Sequence, residues 1–390
     1  PELRFPEFEG EWKLNNVGDL FEFKNGLNKE KEFFGYGSSI VNFKDVFNNR
    51  GINTKELTGK VYVNDKELKN YSVKNGDVLF TRTSEVIDEI GYPSVILDNP
   101  ENTVFSGFVL RARPKIGIEL VDNLFKRYVF FTTSFRKEMI TKSSMTTRAL
   151  TSGTAINKME IKYPASKNEQ QKIGDFFSKI DHQIALEEQK LALLEQQKKG
   201  YMQKIFSQEL RFKDDNGNDY PEWEEKRFLD LFKVIPSKDK QINSRDVLEN
   251  GRFPVVDQGK KLFLGYSNEK SKVIENFENF IIYGDHTTII KRINEPFIIG
   301  GDGVKLLTGI DEKPINYLFV LLQYFNVVPE GYKRHYSILK TRNMYVSTFA
   351  EEQCKIGNFF RGLDMLIEKQ SRKVDLLKQR KQGLLQKMFI

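Results

Sequence analysis

Acidic side chains near one histidine are the first candidates for chemistry in this sequence of 390 residues. Asp257, the run Gly284-Asp285-His286 and Asp302 could in principle hold a divalent cation that activates water for hydrolysis. Such a site needs carboxylates that converge on one ion, and nothing in this spacing requires convergence. Gly-Asp pairs at strand ends are mostly turns. The sequence therefore favours turns over a metal-dependent active site.

Other catalytic patterns are absent or incomplete. Glu67-Leu68-Lys69 has the Glu-x-Lys spacing of some nucleases, but no Pro-Asp pair precedes it. The sequence has no glycine-rich phosphate loop and no dinucleotide fingerprint. Asn99-Pro100 continues with glutamate, unlike the Asn/Asp-Pro-Pro-Tyr/Phe motif of amino-methyltransferases. Three histidines and one cysteine exclude a zinc cluster. We therefore expect a chain with no catalysis, metal or cofactor of its own.

Several polar loops carry side chains that suit DNA recognition. Arg and Gln are the usual bidentate donors to guanine and adenine edges, and Ser, Thr and Lys commonly contact phosphates. An ordinary solvated loop is the alternative interpretation for each of them. The candidate DNA-binding residues are Arg82, Thr83, Ser84, Ser143, Ser144, Thr146, Thr147 and Arg148 in the first half, with Gln258, Lys260, Lys261, His286, Thr287, Lys291, Arg292, Arg334, His335 and Tyr336 in the second.

Short β-type runs separated by Gly, Asn and Asp must position these loops. The predicted strands are Val61–Val63, Asp77–Thr81, Ser94–Leu97, Val104–Arg111, Pro254–Val256, Phe280–Tyr283, Thr288–Lys291, Pro296–Ile299 and Val304–Leu307. Helices are predicted over Leu120–Ser134 and Ile315–Tyr324. The two halves therefore share a plan of strands followed by one helix, while their side chains differ.

A long helical segment occurs twice. Residues 169–206 align without a gap with residues 352–389, at a constant offset of 183 and with 18 identities in 38 positions. Similarity of this extent over a fixed offset indicates an internal duplication. The duplication extends to the preceding segments, because Leu3–Trp12 is echoed by Leu210–Glu225.

Both copies carry a heptad pattern of apolar residues. Alternating steps of three and four over this length predict a coiled coil. Each helix would be about 57 Å long at 1.5 Å per residue. Polar residues interrupt the pattern at equivalent places, Glu187 with Gln370 and Lys198 with Lys381, which suggests a specified register. The predicted core positions are Ile173, Phe177, Ile180, Ile184, Leu191 and Leu194 in the first copy, and Ile356, Phe360, Leu363, Ile367, Val374 and Leu377 in the second.

Charge predicts that the two copies pair with each other. The first copy has six basic and six acidic residues, whereas the second has nine and four. The acidic middle of the first copy, including Glu187 and Glu195, can face the basic run from Arg372 to Lys381. Packing of each helix on its own domain alone is the alternative. Since the second copy holds most of the net charge of +7, any DNA contact by the globular regions must use local patches.

These observations divide the chain into four segments. We predict a first domain over residues 1–168, a long helix over 169–208, a second domain over 209–350 and a second long helix over 351–390. The single cysteine fits a reducing cytoplasm. No apolar run approaches the ~20 residues of a membrane span, and nothing resembles an export leader. We therefore expect a cytoplasmic chain.

The order of globular region and long helix, repeated once, resembles the specificity subunit of Type I restriction-modification systems. The resemblance covers essentially the whole chain, and its most specific parts are Glu169–Ile173 and Glu352–Ile356, which open the two long helices. It implies an α+β fold with two mixed α/β target recognition domains. Two long antiparallel coiled-coil helices would separate these domains, which would be related by approximate two-fold symmetry.

The resemblance also implies a function. Each domain would recognise one half of a bipartite, asymmetric target in double-stranded DNA, and the helices would set the gap between the halves. Two methyltransferase subunits would dock on the chain and motor-nuclease subunits would join them, with S-adenosylmethionine, ATP and Mg²⁺ on these partners. One helical turn more, such as four residues inserted after Gln189, would lengthen the gap by about 5.4 Å, or one to two base pairs.

Two other classes of function remain open for this sequence. A scaffold could join protein partners through the coiled coil without recognising DNA. That interpretation explains the helices, but not why two regions of one plan differ in their loops. A self-contained nuclease is disfavoured by the lack of a convincing carboxylate cluster.

Overall fold

The computed structural model describes residues 1–116, 122–331 and 333–389. The fold is α+β, and the chain divides into two compact units. The first unit is Pro1–Glu187 with Lys373–Ile390, and the second is Glu188–Arg372. Each unit thus combines one globular domain with parts of both long helices. The four predicted segments instead separate the helices from the domains. Within the described ranges, no helix is both long and apolar enough to cross a membrane.

The first half of the chain contains seven helices and thirteen strands among its described residues. The helices are α1 (Val17–Leu20), α2 (Phe43–Asn48), α3 (Asp65–Tyr71), α4 (Asn123–Val129), α5 (Thr133–Lys142), α6 (Gly153–Asn157) and α7 (Lys167–Phe206). The strands are β1 (Lys13–Asn16), β2 (Phe21–Asn25), β3 (Phe34–Val41), β4 (Gly51–Ile52), β5 (Lys60–Val61), β6 (Val78–Thr81), β7 (Thr83–Ser84), β8 (Pro93–Ile96), β9 (Thr103–Phe105), β10 (Val109–Pro114), β11 (Ser144–Met145), β12 (Ala149–Leu150) and β13 (Glu160–Tyr163). The main sheet has the order β2-β10-β6-β8-β4.

The second half repeats this plan. Its helices are α8 (Phe228–Leu231), α9 (Ile315–Tyr324), α10 (Tyr336–Leu339) and α11 (Ala350–Phe389). Its strands are β14 (Glu224–Arg227), β15 (Phe232–Ile235), β16 (Gln241–Ile242), β17 (Phe253–Val256), β18 (Gly265–Ser267), β19 (Ile281–Gly284), β20 (Ile290–Lys291), β21 (Ile298–Gly300), β22 (Val304–Gly309) and β23 (Asn343–Val346). The order β15-β22-β19-β20 matches β2-β10-β6-β8 of the first half.

The predicted helix over Leu120–Ser134 is wrong, because two helices occupy this region. Leu120 and Val121 lie outside the described residues. The Asp122 carboxylate accepts the N–H groups of Leu124 and Phe125 at 2.8 and 3.1 Å, which caps the N-terminus of α4. Thr132 Oγ1 accepts the N–H of Phe135 at 3.3 Å and begins α5. Two capping residues thus divide one apolar run, whereas the helix predicted over Ile315–Tyr324 is confirmed.

A buried glutamate fixes the start of α7 to the beginning of the chain. The Glu169 side chain is 1 % exposed and accepts hydrogen bonds from Arg4 Nε at 2.7 Å and Trp12 Nε1 at 3.2 Å. The hydrogen bond between Arg4 and Glu169 raises the pKa of the Arg4 guanidinium. Gln170 Nε2 donates to the Pro164 carbonyl at 2.7 Å. The Glu-Gln pair that opens the helix therefore ties it to its own domain.

The second half builds the same anchor with its own residues. The buried Glu352 carboxylate accepts Trp223 Nε1 at 2.9 Å and the Arg211 guanidinium at 3.3 Å. Gln353 Nε2 donates to the Ser347 carbonyl at 2.7 Å, the place that Pro164 takes in the first half. Either residue can accept this bond because it uses only the backbone oxygen, while Ser347 Oγ also donates to Glu352 Oε2 at 2.6 Å.

The two long helices pair antiparallel within each unit, as predicted. In the first unit, Asp181 forms an ion pair with Lys381 and Glu187 with Lys373. In the second unit, Lys198 Nζ lies 2.6 Å from Asp364 Oδ1. Residue numbers rise on one helix as they fall on the other, which defines the direction. All twelve predicted heptad core residues are buried or half-buried, which confirms the coiled-coil prediction.

Three of the four predicted polar interruptions, Glu187, Lys198 and Lys381, form ion pairs between the two helices. Lys198 and Lys381 occupy equivalent places in the duplication, and each pairs with the aspartate of the other helix. Both aspartates, Asp364 and Asp181, are also equivalent. Lys381 is only 7 % exposed, and burial lowers the pKa of its ammonium group to about 8. These partly buried pairs favour one register, because a slipped helix would leave the lysine unpaired.

Close contact between domain and long helix requires glycine at position 174. A Cβ atom at Gly174 would lie 2.7 Å from both Leu124 Cβ and Phe125 N. Gly174→Ala should therefore lower the free energy of unfolding by about 1–3 kcal/mol, despite the better helix propensity of alanine. The equivalent Gly357 faces the Tyr317 amide in the same way.

Gly200 provides the matched control for this prediction. It lies in the same helix, and a Cβ atom there would meet nothing within 4 Å. Gly200→Ala should raise stability by about 0.5–1 kcal/mol. Urea unfolding of both variants checks the pair, and equal effects at the two positions would contradict the packing argument.

Candidate nucleic-acid interface

The structure brings the two predicted loops of the first half together. β7 pairs with β12, with Ser84 opposite Ala149 and Thr83 opposite Leu150, and β12 pairs with β11. The Thr151 amide donates to the Arg82 carbonyl at 3.1 Å. Residues 82–84 and 143–148 therefore form one surface, which we call the first candidate surface.

Two polar groups on the first candidate surface have no partner in the described part of the chain. Arg82 Nε and Ser143 Oγ are buried without a hydrogen bond. Arg148 is 65 % exposed, and its guanidinium lies 3.6 Å from the exposed Glu85 carboxylate. A buried donor without an acceptor costs free energy unless a ligand supplies one. This arrangement suits recognition of oxygen and nitrogen acceptors on DNA.

The sequence prediction missed Phe108 beside this surface. Its side chain is 62 % exposed, and its carbonyl accepts the Arg82 N–H at 3.0 Å. An exposed aromatic ring next to an arginine can contact a thymine methyl group or enter a base step. Its only sequence signal is its place between Gly107 and the apolar start of β10, a signal shared by many turn residues.

Three loops of the second half meet in the same way and form the second candidate surface, made of residues 257–261, 285–287 and 333–336. Gln258 Oε1 accepts the His286 N–H at 3.1 Å, and Thr287 Oγ1 donates to the Gln258 carbonyl at 2.5 Å. His286 Nδ1 lies 3.0 Å from the Lys333 carbonyl. Lys260, Lys261 and Arg334 are exposed at this surface.

The two candidate surfaces occupy one topological position. The first follows β6 at Arg82, and the second follows the matching strand β19 at Asp285. In each half, the segment before a short helix donates a backbone N–H to that residue. The Arg82 carbonyl accepts from Thr151 before α6, and the Asp285 carbonyl accepts from His335 at 2.7 Å before α10. The two candidate surfaces therefore lie at equivalent positions in the two halves, but their side chains differ.

Four predicted residues serve the fold instead of these surfaces. Ser84 is 7 % exposed, and its Oγ accepts the Val86 N–H at 3.2 Å. Lys291 is 6 % exposed and donates to the Lys261 carbonyl at 2.5 Å. Tyr336 is half-buried, with its ring 5.9 Å from the Phe228 ring. We therefore remove these residues and His335 from the set that we expect to contact DNA.

His335 is held entirely inside the second domain. Its side chain is 0 % exposed, and Nε2 accepts the Glu330 N–H at 2.9 Å. Nδ1 lies 3.2 Å from the Asp285 carbonyl, so the neutral imidazole satisfies both neighbours. A buried ring with both nitrogens used cannot approach a base edge.

Arg292 lies away from the second candidate surface. It donates to Asn316 Oδ1 and, through Nη2, to the Glu278 carbonyl at 3.0 Å. Its neighbour Lys291 donates instead to the loop of residues 257–261. Successive side chains along extended backbone point to opposite faces, which separates the two cations. Arg292 is therefore also removed from the predicted set.

The remaining predicted residues keep exposed or half-exposed side chains. They are Arg82, Thr83, Ser143, Ser144, Thr146, Thr147 and Arg148 at the first candidate surface, with Gln258, Lys260, Lys261, His286, Thr287 and Arg334 at the second. Their contact with DNA stays a prediction.

Two of the three carboxylates considered for metal binding, Asp257 and Asp285, have partners within the chain. Asp257 Oδ1 accepts the Gly259 N–H at 3.0 Å and lies 3.5 Å from Lys291 Nζ. Asp285 Oδ1 accepts the Tyr336 N–H at 3.0 Å. Among the residues that the structure describes, no three His, Cys, Asp or Glu side chains are grouped as metal ligands.

Comparison with known proteins agrees with this architecture. Residues 9–196 match the family described as the Type I restriction modification DNA specificity domain. This range covers the first globular domain and most of α7. A comparison with curated proteins gives no match.

Two solved structures share the fold over nearly the full length. The first is the crystal structure of a Type-I restriction-modification system S subunit from M. genitalium, with 16 % identity and a TM-score of 0.64, covering 100 % of this chain and 99 % of that one. The second comes from a study of complex assembly and conformational transition of the type I R-M system, with 13 % identity, a TM-score of 0.56 and 98 % coverage of both chains. At these identities the similarity shows the fold, while the family match carries the assignment. Residues 9–196 therefore match a Type I restriction modification DNA specificity domain, on a fold that the whole chain shares with a Type-I restriction-modification system S subunit.

Proposed function

We propose that each candidate surface recognises one half of a bipartite, asymmetric DNA target. The observation that carries this proposal is the repeated position of the two surfaces after β6 and β19, with different side chains at each. Two binding sites that share a scaffold and differ in their donors and acceptors suit two different base sequences. The exposed cations Arg148, Lys260, Lys261 and Arg334 would contribute phosphate or base contacts.

The chain would act within a larger complex. Two methyltransferase subunits would dock on it and carry S-adenosylmethionine, and motor-nuclease subunits would bring ATP and Mg²⁺. The partners would flip and methylate adenine in their own pockets. Because its substrate would be genomic DNA, the complex would act in the cytoplasm. The structure of an assembling type I R-M system with the same fold supports this proposal.

Adenine methylation across a genome tests the proposal. A host that expresses this chain with its cognate methyltransferase subunit should gain one bipartite methylated motif with two fixed halves and a constant gap. A strain that lacks the chain is the control. If the complex is intact and no new motif appears, the coiled-coil scaffold becomes the better interpretation.

Variants of one candidate surface should alter one half of the motif. Replacing Arg82 and Arg148 with alanine removes both arginines of the first candidate surface. Because a good bidentate contact contributes about 1–3 kcal/mol of discrimination, methylation should become at least about tenfold less selective at one or two positions of one half-site. The opposite half and the gap should stay unchanged.

The second half of the chain supplies the matched variant. Alanine at Lys260 and Arg334 should change only the other half-site. Exchange of residues 13–150 for a domain of different specificity should likewise replace one half-site as a whole. Changes in both half-sites from either set would contradict separate recognition by the two domains.

A further inference from the structure

Exposed aromatic side chains are concentrated on one ribbon of the first domain. The ribbon consists of residues 29–39 and 60–62, in which β3 pairs with β5, and we call it the aromatic ribbon. Tyr36 is 52 % exposed, Tyr62 is 47 % exposed, and Phe34 is also exposed. Single exposed apolar residues are normal on a protein surface, but a contiguous patch is typical of an interaction site.

A bulge between two glycines presents Tyr36 at the surface. The register of β3 shifts at this place, so that the two residues flanking the bulge both lie opposite Val61 of β5. Gly35 and Gly37 adopt φ values of +100° and +89°, which residues with a Cβ atom rarely adopt. A Cβ atom at Gly37 would also lie 2.8 Å from the Val61 carbonyl oxygen. Bulges of this kind redirect a side chain next to functional sites.

Three rings of the aromatic ribbon form one stack. The ring centroids of Phe33 and Tyr62 are 6.3 Å apart, with planes at 24°, and those of Tyr62 and Tyr36 are 5.9 Å apart, with planes at 29°. Lys29 Nζ lies 4.5 Å from the Phe33 centroid at one end of the stack. Tyr36 is the other end and the most exposed of the three rings. A planar group can therefore extend the stack at Tyr36.

The aromatic ribbon adjoins the first candidate surface. The Gly107 N–H donates to the Leu27 carbonyl at 2.8 Å, and Asn28 Oδ1 leaves no room for a Cβ atom at Gly107. Asn28 is the residue before the ribbon. Gly107 precedes the exposed Phe108, whose carbonyl accepts the Arg82 N–H at 3.0 Å. A ligand on the first candidate surface can therefore reach the ribbon.

The charge of the aromatic ribbon favours contact with bases over contact with phosphates. The ribbon contains three lysines and two glutamates. One of these lysines, Lys29, has its Nζ atom 2.9 Å from Glu67 Oε2. A surface that is nearly neutral attracts phosphates weakly, whereas stacking on a nucleobase requires only an exposed aromatic face.

The second half has no aromatic residue at the equivalent strand. β16 takes the place of β3, since each is parallel to the strand that precedes β22 or β10. β16 has two residues, whereas β3 has eight. The turn before β16, Lys238–Lys240, carries two lysines where the turn before β3 ends at Phe33. The stack therefore belongs to the first domain alone at this position of the fold.

We propose that the aromatic ribbon stacks on a nucleobase that leaves the base stack of the duplex at or beside the half-site of the first domain. The inference rests on the proposed function, which places duplex DNA on the first candidate surface. Tyr36 would contact the base, and Tyr62 and Phe33 would support its ring. Because every base has an aromatic face, the ribbon would select base steps that open easily and not one base identity.

A mismatch scan tests this inference in the complex of the full chain with its cognate methyltransferase subunit. Duplexes carry the methylated motif, with one mismatch moved through the first half-site and its flanks. At one position other than the methylated adenine, the wild-type complex should bind the mismatched duplex about tenfold more tightly, because a mismatch lowers the cost of unstacking. Tyr36→Ala should lose this preference and bind the matched duplex about tenfold more weakly. Tyr36→Phe keeps the ring and should keep both properties.

The methylated adenine provides an internal reference. A mismatch there helps the methyltransferase subunit to flip its target, so the preference at that position should stay unchanged in Tyr36→Ala. Salt dependence provides a second readout, because each lost phosphate contact reduces the slope of log affinity against log salt by about one. Tyr36→Ala should keep the wild-type slope.

Tyr345→Ala is the matched control, since Tyr345 is an exposed tyrosine in β23 of the second unit. It should equal wild type in the scan. Wild-type affinity and mismatch preference in Tyr36→Ala would overturn the proposal, as would equal losses in Tyr345→Ala. A reduced salt slope would assign the ribbon to phosphates, and weaker binding of the methyltransferase subunit with unchanged DNA affinity would assign it to a protein interface. If circular dichroism shows that Tyr36→Ala is unfolded, Tyr62→Ala removes the supporting ring and should also lose the preference.

The failure of the proposed function has a separate signature. Without a bipartite methylated motif from the wild-type complex, the specificity role fails and this inference fails with it. With that motif present, and no mismatch preference except at the methylated adenine, the assignment of the aromatic ribbon alone fails.

Discussion

Replacing Glu169 with alanine should lower the free energy of unfolding of the first unit by about 3–5 kcal/mol. The carboxylate is 1 % exposed and holds Arg4 and the Trp12 indole together. Its removal leaves the Trp12 N–H without an acceptor and one arginine without its counter-charge. Both losses occur where the first turn of α7 joins the domain, so the long helix would lose its fixed starting point.

Tryptophan fluorescence can measure this effect in one unit at a time. The chain has two tryptophans, and each lies at one anchor, Trp12 beside Glu169 and Trp223 beside Glu352. In a Trp223→Phe background, urea unfolding reports the first unit alone. Glu169→Gln keeps an acceptor for Trp12 and should cost less than Glu169→Ala.

Gln171→Ala is the control for the anchor, because Gln171 is exposed two residues further along the same helix. Surface substitutions of this kind usually change stability by less than about 0.5 kcal/mol. If Glu169→Ala had no larger effect than Gln171→Ala, the buried carboxylate would not be the anchor that we describe.

The long helices were predictable because their information is local. A heptad spacing and a fixed offset of 183 residues are visible in the sequence alone, and they gave the buried and half-buried core positions correctly. Some strand positions were also close, since Phe280–Tyr283 was predicted and β19 spans Ile281–Gly284. The single strand predicted over Val104–Arg111 was wrong, because β9 ends at Phe105 and β10 begins at Val109. Apolar periodicity and turn residues decide such elements within a few residues of chain.

The anchors were not predictable in the same way. A glutamate at the start of a helix usually interacts with the helix N-terminus. The residues next to Glu169 in the sequence do not predict that its side chain is buried. Its partners lie 157 and 165 residues away, so only the tertiary fold shows why the position must be acidic. The repeated Glu-Gln pair indicated the family resemblance, but the sequence did not show that the glutamate anchors the helix to its domain.

The candidate surfaces were only partly predictable for a related reason. Composition identified the loops, but it could not distinguish Lys291, which is buried, from Lys261, which is exposed. Nor could it separate His286 at the surface from His335 in the interior. Side chains of one type differ here only in what the remainder of the fold places beside them.

The length of the paired helices should set the gap of the DNA target. Glu187 and Lys373 form an ion pair, and they therefore mark facing positions on α7 and α11. Inserting one heptad after Glu187 and another before Lys373 lengthens both helices by about 10.5 Å and keeps the core pattern in phase. The methylated motif should keep both half-sites and gain about three base pairs in its gap.

Insertion into one helix alone is the control that separates length from pairing. Four or seven residues added only to α7 displace Lys198 relative to Asp364, or Asp181 relative to Lys381, and break these ion pairs. Such a variant should lose stability and methylation, because the antiparallel partner cannot follow. The structure therefore replaces the single insertion after Gln189, which the sequence suggested, with the double insertion. The double insertion preserves every pair on both sides of the added heptads. If the double-insertion complex is stable and the gap is unchanged, the length of the helices does not set the distance between the half-sites. If the half-sites change instead, DNA recognition depends on more than the two candidate surfaces.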